Sequence, residues 1–302
     1  MEFLYLLEKI RVPGLNEFML GITTLGEETA FLAIGLMVFW CVCKRRGCYL
    51  MTVGLFGTII SQLMKIFCRV PRPWVQDKNF TILEQAREAA DGYSFPSGHT
   101  QSAVGTFGAI ARFTGRQWLR IVCIAAAVLV GLSRMYIGVH TPADVLAGAA
   151  LSVALIFLLY PLMLGKRDHT MWVLLALAVM SVVYLAYMEF TQFPADIDAH
   201  NLESALKNAY TLVGCSFALL VVWPVEEKYI RFPEQAVWWA QLLKVGIGLL
   251  LVLAVKEGLR SPLEAIFAGH LAARAVRYFL IVIVAGLVWP LSFKYFARLG
   301  KK

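Results

Sequence analysis

The sequence predicts an all-α polytopic membrane protein, a bundle of about nine transmembrane helices. Three observations predict it. Hydrophobic residues make up 59% of the 302 and charged residues only 16%, whereas a soluble domain is roughly half apolar and a quarter charged. The mean hydropathy is +0.68. The apolar residues also fall into runs long enough to cross hydrocarbon, which takes about 20 residues. The net charge of +8 would raise nucleic-acid binding in a soluble chain. Here the basic residues are read first as membrane-topology signals, and no nucleic-acid partner is expected.

The N-terminus, Met1 to Ile10, is apolar but carries Glu2 and Glu8, has no basic leader region and breaks at Pro13. That is not a cleavable signal pattern. Phe3, Leu4, Leu6, Leu7 and Ile10 fit one face of a helix lying in the membrane surface. Candidate spans follow at 27–43, 47–67, 99–115, 118–138, 142–164, 170–189, 208–224, 236–256 and 276–296. The first is short and opens on Glu27-Glu28. The longest polar connections are 68–98 and 190–207, and neither repeats nor low-complexity tracts are visible. The chain thus divides into an interfacial segment 1–26, a core 27–164 and an extension 165–302 with four spans.

Orientation follows from the short loops. Lys44-Arg45-Arg46, the turn with Arg112, Arg116 and Arg120, Lys166-Arg167, and the tail with Lys294, Arg298, Lys301 and Lys302 fall on one side of a nine-span layout. That side is expected to be cytoplasmic, with the N-terminus outside. Lys256, Arg260, Arg274 and Arg277 fall on the outer side and fit less well. The six cysteines show no zinc or disulfide spacing and read as buried free thiols.

Polar residues near the spans gather in three clusters, all on the outer face of this layout. The first runs from Lys65 to Arg72-Pro73. A lysine inside an apolar run is a functional candidate, or else it snorkels to the interface. The second is Pro96-Ser97-Gly98-His99 at the start of a span. Ser97 can cap the helix and Gly98 lets backbone N–H groups approach a ligand. The helix N-terminus favours an anion, with His99 beside it. The third runs from Ser133-Arg134 through His140 to Asp144. Thr141 and Pro142 read as N-cap and first position of a helix. Asp144 is then close enough to turn its carboxylate toward His140, or it completes a T-x-x-D capping box.

These stretches read K-x6-R-P, P-S-G-H and S-R-x5-H-x3-D, in that order. They resemble the signature of the type 2 phosphatidic acid phosphatase superfamily at every fixed position. The resemblance implies a phosphatase core in 27–164 with His140 as nucleophile, giving a phosphohistidine. It implies Asp144 as the hydrogen-bond partner of the far ring nitrogen and His99 as the acid that protonates the leaving oxygen. Lys65, Arg72 and Arg134, joined by the backbone N–H groups of Ser97 and Gly98, would hold the phosphoryl oxygens. No carboxylate cluster accompanies the motifs, so the expected chemistry uses no metal and no cofactor. The nine-span layout resembles glucose-6-phosphatase and, more loosely, sphingosine-1-phosphate phosphatases. Asp144 and the run from Ser133 to His140 resemble the lipid branch more, which points to a phosphorylated lipid, a monoester or diphosphate, as substrate. A soluble sugar phosphate is the alternative, and a non-catalytic phosphate- or lipid-binding or transport protein is a third reading. A haloperoxidase shares the motifs but does not fit nine spans. The site is expected on the non-cytoplasmic face, periplasmic, extracellular or lumenal.

Other candidates read more plainly. Asp196, Asp198 and His200 look like a solvated loop rather than a metal site. His270, Arg274 and Arg277 share a helical face and suggest interfacial anchoring to anionic head groups, or a substrate head-group contact. Ala143, Ala147, Gly148, Ala149 and Ala150 would let their span pack closely. Trp238-Trp239 reads as an interfacial anchor.

Overall fold

The computed structural model describes residues 1–87, 90, 92–195 and 197–299. All regular structure among them is helical. The helices are α1 (Glu2–Lys9), α2 (Pro13–Thr23), α3 (Glu28–Cys41), α4 (Lys44–Cys68), α5 (Pro73–Gln76), α6 (Gly98–Phe113) and α7 (Gln117–Tyr136). They continue as α8 (Pro142–Leu164), α9 (Thr170–Phe190), α10 (Ala199–Val225), α11 (Trp238–Gly258), α12 (Arg260–Ile266), α13 (Ala272–Ile283) and α14 (Phe293–Phe296). Proline opens α2, α5 and α8, where its missing N–H costs nothing.

Among the described residues seven helical stretches are long and apolar enough to cross a membrane. The count becomes eight if Pro13–Gly26 and Glu28–Cys41, bent by 53°, form one broken span. Two of the nine expected spans therefore fall short by themselves. α3 has 14 residues and α6 has 16, or about 24 Å for the latter. The expected spans ran one to two residues past the helix ends, onto Glu27, Val42 and Cys43 for α3 and Thr114 and Gly115 for α6. Conversely α10 starts at Ala199, so much of the polar 190–207 connection is helix. Large apolar side chains on α7, α8 and α9, among them Ile121, Val128, Leu146, Leu158, Trp172 and Val183, stand exposed. Such faces fit lipid rather than water, and the chain is an integral multi-pass membrane protein. Trp238 and Trp239 are exposed as well.

The chain forms two compact units. The first comprises Met1–Leu32, Val53–Leu159 and Phe193–Ala205. Its N-terminal helix is not a pure surface anchor. Phe3, Leu6 and Ile10 are exposed, but Leu4 is fully buried with Phe80, Ile82, Met135 and Val145. The Tyr5 hydroxyl donates to Asp77 at 2.8 Å. Arg11 Nε donates to the Tyr136 carbonyl at 2.9 Å and Nη1 to the Thr81 carbonyl at 2.8 Å. The segment thus braces residues 77–82 of the connection that follows α5.

The second unit comprises Ala33–Thr52, Tyr160–Gln192 and Leu206–Lys302. Its core gathers Leu36, Phe39, Trp40, Val222, Phe232, Ala285 and Phe293. Lys44, read from sequence as a loop charge, instead pairs with the buried Glu226 at 2.5 Å. The cysteines are free, but only Cys48 and Cys123 are buried; Cys41, Cys43 and Cys215 are half-buried and Cys68 is exposed.

Candidate active site

Four helix ends of the first unit meet at the site: the C-termini of α4 and α7 and the N-termini of α6 and α8. All eight residues singled out from sequence lie at or beside these ends.

α7 ends in a turn its sequence dictates. Gly138 takes φ +90, the left-handed conformation that glycine adopts without strain. Val139 N–H then donates to the Arg134 carbonyl and Gly138 N–H to Met135, the double closure of a Schellman motif. The turn delivers His140 just ahead of α8, 1% exposed. Around its ring the polarity is set. Arg72 Nη1 lies 2.9 Å from His140 Nε2. A guanidinium only donates, so Nε2 presents its lone pair and Nδ1 carries the hydrogen. Arg72 is itself held by Nε to the Gly92 carbonyl at 2.9 Å and Nη1 to the Val139 carbonyl at 3.1 Å. Burial, then Arg72, Arg134 and Lys65, hold the His140 imidazole well below the usual histidine range. It is therefore neutral at neutral pH.

The expected His140–Asp144 hydrogen bond is not closed. Nδ1 and Asp144 Oδ2 are 3.6 Å apart, beyond hydrogen-bond range. Ser94 stands at both: its hydroxyl donates to Asp144 Oδ2 at 2.6 Å and its oxygen lies 3.4 Å from Nδ1. The capping reading of Asp144 also holds. Thr141 N–H donates to Oδ2 at 2.7 Å, and Asp144 N–H to Thr141 Oγ1 at 3.3 Å. The carboxylate is thus fixed by two donors and reaches the imidazole through a serine.

The cations converge, with one correction among the amides. Arg134 is 1% exposed, and its Nη1 donates to Thr23 Oγ1 at 2.8 Å. Its buried Nε has no partner among the described residues. Lys65 Nζ lies 4.0 Å from where a Cβ on Gly98 would be. Ser97 caps α6 as expected, accepting from Thr100 N–H. Its own N–H, however, donates to the Asp144 carbonyl at 2.9 Å. Ser97 N–H is therefore not available to a phosphate, and only Gly98 of the two expected amides opens the helix. The same contact explains Gly148. A Cβ there would sit 2.6 Å from the Ser97 carbonyl oxygen, so α8 can cross the cap of α6 only without a side chain. Of the small residues expected to pack α8, Gly148 is one that does so. His99 sits in the first turn of α6, its carbonyl against Gly26.

Sequence reasoning missed Ser94, Thr23 and Arg11. Asp198 and His200 lie at the start of α10, where Asp198 N–H meets the Tyr93 hydroxyl at 3.4 Å and Asp198 Oδ1 accepts from Asn201. Asp196 lies outside the described residues. Among the described residues no three His, Cys, Asp or Glu side chains gather as a metal site.

Buried cations around a neutral imidazole, beside the N-termini of α6 and α8 inside a membrane protein, fit a phosphoryl-handling membrane enzyme. Comparison with known sequences gives it a family. Residues 46–168 match the PAP2 superfamily and residues 210–302 match the PAP2 superfamily phosphatase transmembrane extension. Phosphatidylglycerophosphatase B of Bacillus subtilis is 33% identical over 162 residues, 49% of this chain and 75% of that protein. An undecaprenyl-diphosphatase of Sulfolobus acidocaldarius is 29% identical over 158 residues, 52% of this chain and 75% of that protein. Glucose-6-phosphatase 3 of Mus musculus is 26% identical over 210 residues, 62% of this chain and 60% of that protein. No solved structure gives a significant match. The chain belongs to the PAP2 superfamily and is an integral membrane phosphatase.

Proposed function

We propose that this phosphatase hydrolyses a lipid phosphate, monoester or diphosphate, through a phosphohistidine on His140. The observation that carries the proposal is the 2.9 Å approach of Arg72 Nη1 to His140 Nε2. It leaves Nε2 unprotonated, its lone pair held by a cation that an incoming phosphoryl group can draw onto its own oxygens. A phosphoryl group entering there takes Arg72, Lys65 and Arg134 on its oxygens, and the Gly98 end of α6 adds partial positive charge. Nε2 attacks phosphorus and the bond to the leaving oxygen breaks. His99 gives that oxygen a proton, then takes one from the water that attacks the phosphohistidine, which releases inorganic phosphate and restores the imidazole. Ser94 and Asp144 stabilise the charged ring through Nδ1–H. The positive charge is supplied by side chains, so turnover with EDTA present is expected.

A lipid substrate is supported by the activities for which the bacterial and archaeal relatives are named and by the site's position at the ends of apolar helices. Lys44-Arg45-Arg46 opens α4, the turn with Arg112, Arg116 and Arg120 joins α6 to α7, and Lys166-Arg167 follows α8. Each basic group is at the opposite end of its helix from the site. Basic loops stay cytoplasmic, which favours a site on the non-cytoplasmic face. The glucose-6-phosphatase 3 match is the longer one, so a sugar phosphate belongs in the test. In detergent with EDTA, phosphate release from phosphatidylglycerophosphate, polyprenyl diphosphate and phosphatidate should exceed release from glucose 6-phosphate. Activity on glucose 6-phosphate alone would sink the lipid reading, and a strict need for Mg²⁺ would overturn the all-protein charge balance.

The serine bridge gives a separate expectation. Ser94→Ala takes one of two donors from a buried carboxylate, an effect on the order of 1–3 kcal/mol. We expect kcat/KM to fall by about tenfold or more. Unchanged kinetics would show that Asp144 reaches His140 without Ser94.

A further inference from the structure

The second unit holds two arginines that the catalytic reading does not use. Arg277 of α13 is 8% exposed, and its buried Nε has no hydrogen-bond partner among the described residues. The contact it makes is with a ring: its Cζ lies 5.5 Å from the centroid of Tyr278. Arg274, one turn earlier, also lies 5.5 Å from that ring. Its Nε donates to Thr211 Oγ1 of α10 at 2.7 Å, a neutral acceptor. Among the described residues Glu189 accepts from the hydroxyl of Tyr210, the neighbour of Thr211, at 2.6 Å. His270 stands at the exposed rim, edge to face with Tyr210 at 6.0 Å.

A guanidinium does not shed its proton to escape burial. Two of them flank one tyrosine ring, inside a stretch apolar enough to span a membrane, Ala272–Phe296. Such residues are costly unless a counter-charge completes them. A simple surface anchor would leave Arg277 exposed, and it is buried. We propose that Arg274 and Arg277 form a second anion site, which takes the phosphate of an anionic lipid head group.

Three features favour that ligand. The planar guanidinium fork matches a phosphate with paired N–H donors. Arg274 and Arg277 occupy the first two turns of α13, where the helix end adds positive charge. Those turns begin the span, the depth at which lipid head groups lie. The site falls in the 210–302 extension and does not depend on the reading of the catalytic pocket.

The test uses the full chain in neutral detergent, carrying Arg72→Gln so that the catalytic pocket contributes little. Thermal unfolding is followed as phosphatidylglycerol, phosphatidylcholine or inorganic phosphate is added. Phosphatidylglycerol should raise the midpoint saturably, and phosphatidylcholine should not. Arg277→Gln and Arg274→Gln should each weaken the apparent affinity by about tenfold, the scale of a lost charge-assisted bond. If Arg277→Gln does not fold, Arg277→Lys and Arg274→Gln carry the comparison. An equal response to phosphatidylglycerol in the Arg72→Gln parent and in the variants built on it overturns the site. An equal response of that parent to inorganic phosphate overturns the lipid assignment.

Discussion

His140→Ala is expected to abolish phosphate release, with a fall of about 10⁴-fold or more in kcat, the scale seen when a member of a nucleophile–base–acid set is removed. The reason is local. The Nε2 lone pair faces Arg72 at 2.9 Å, and the imidazole is buried and neutral at the meeting point of three motifs. In the proposed mechanism alanine removes the atom that takes the phosphoryl group, and the neighbouring donors do not substitute for it. Quenching a turnover of phosphorus-labelled substrate should trap label that is stable to alkali and labile to acid in the wild type, and none in the variant. His99→Asn provides the contrast. It keeps the nucleophile and loses the proton donor, so it should label slowly and release label more slowly still. Turnover that persists in His140→Ala sinks the covalent mechanism.

These residues were legible as candidates in the sequence because their signal is local. Each motif sits at a helix end, and helix ends announce themselves: Pro73, Ser97-Gly98, Gly138 and Thr141-Pro142 each carry turn or cap chemistry. What it missed is tertiary. Ser94 stands two residues before Pro96, in a stretch without periodicity, and bonds a carboxylate 50 positions away. Thr23 meets Arg134 across 111 positions. Nothing in the spacing of a serine or a threonine announces such a partner. The lost Ser97 amide has the same cause: its acceptor is the Asp144 carbonyl of another helix, and a backbone acceptor has no sequence signature. The count of nine spans is not confirmed, for a different reason. Hydropathy measures apolar length, not where hydrogen bonding ends, so α3 and α6 came out longer than the 14 and 16 residues they have.

Arg72→Ala is expected to cost about 10³-fold in kcat, within the range for a cation that stabilises a transferring phosphoryl group. The effect should fall on kcat more than on KM, because Lys65 and Arg134 remain to bind the ground state. Arg72→Lys should recover little of the loss. The guanidinium uses Nε on the Gly92 carbonyl and Nη1 on Val139 and His140, and one ammonium on a flexible stem cannot hold that fork. A second readout separates charge from geometry. Arg72 is the largest charge holding the His140 pKa down, after burial, and the nucleophile must be neutral to attack. A lowered pKa keeps the free enzyme active toward acid. Removing the cation raises the pKa back toward its ordinary value of about 6.5, so the acid limb of kcat/KM should move to higher pH in Arg72→Ala. In Arg72→Lys, where a positive charge is retained, the limb should move less while the loss of rate persists. A limb that stays in place in both variants would mean that Arg72 holds the ring in position without setting its charge.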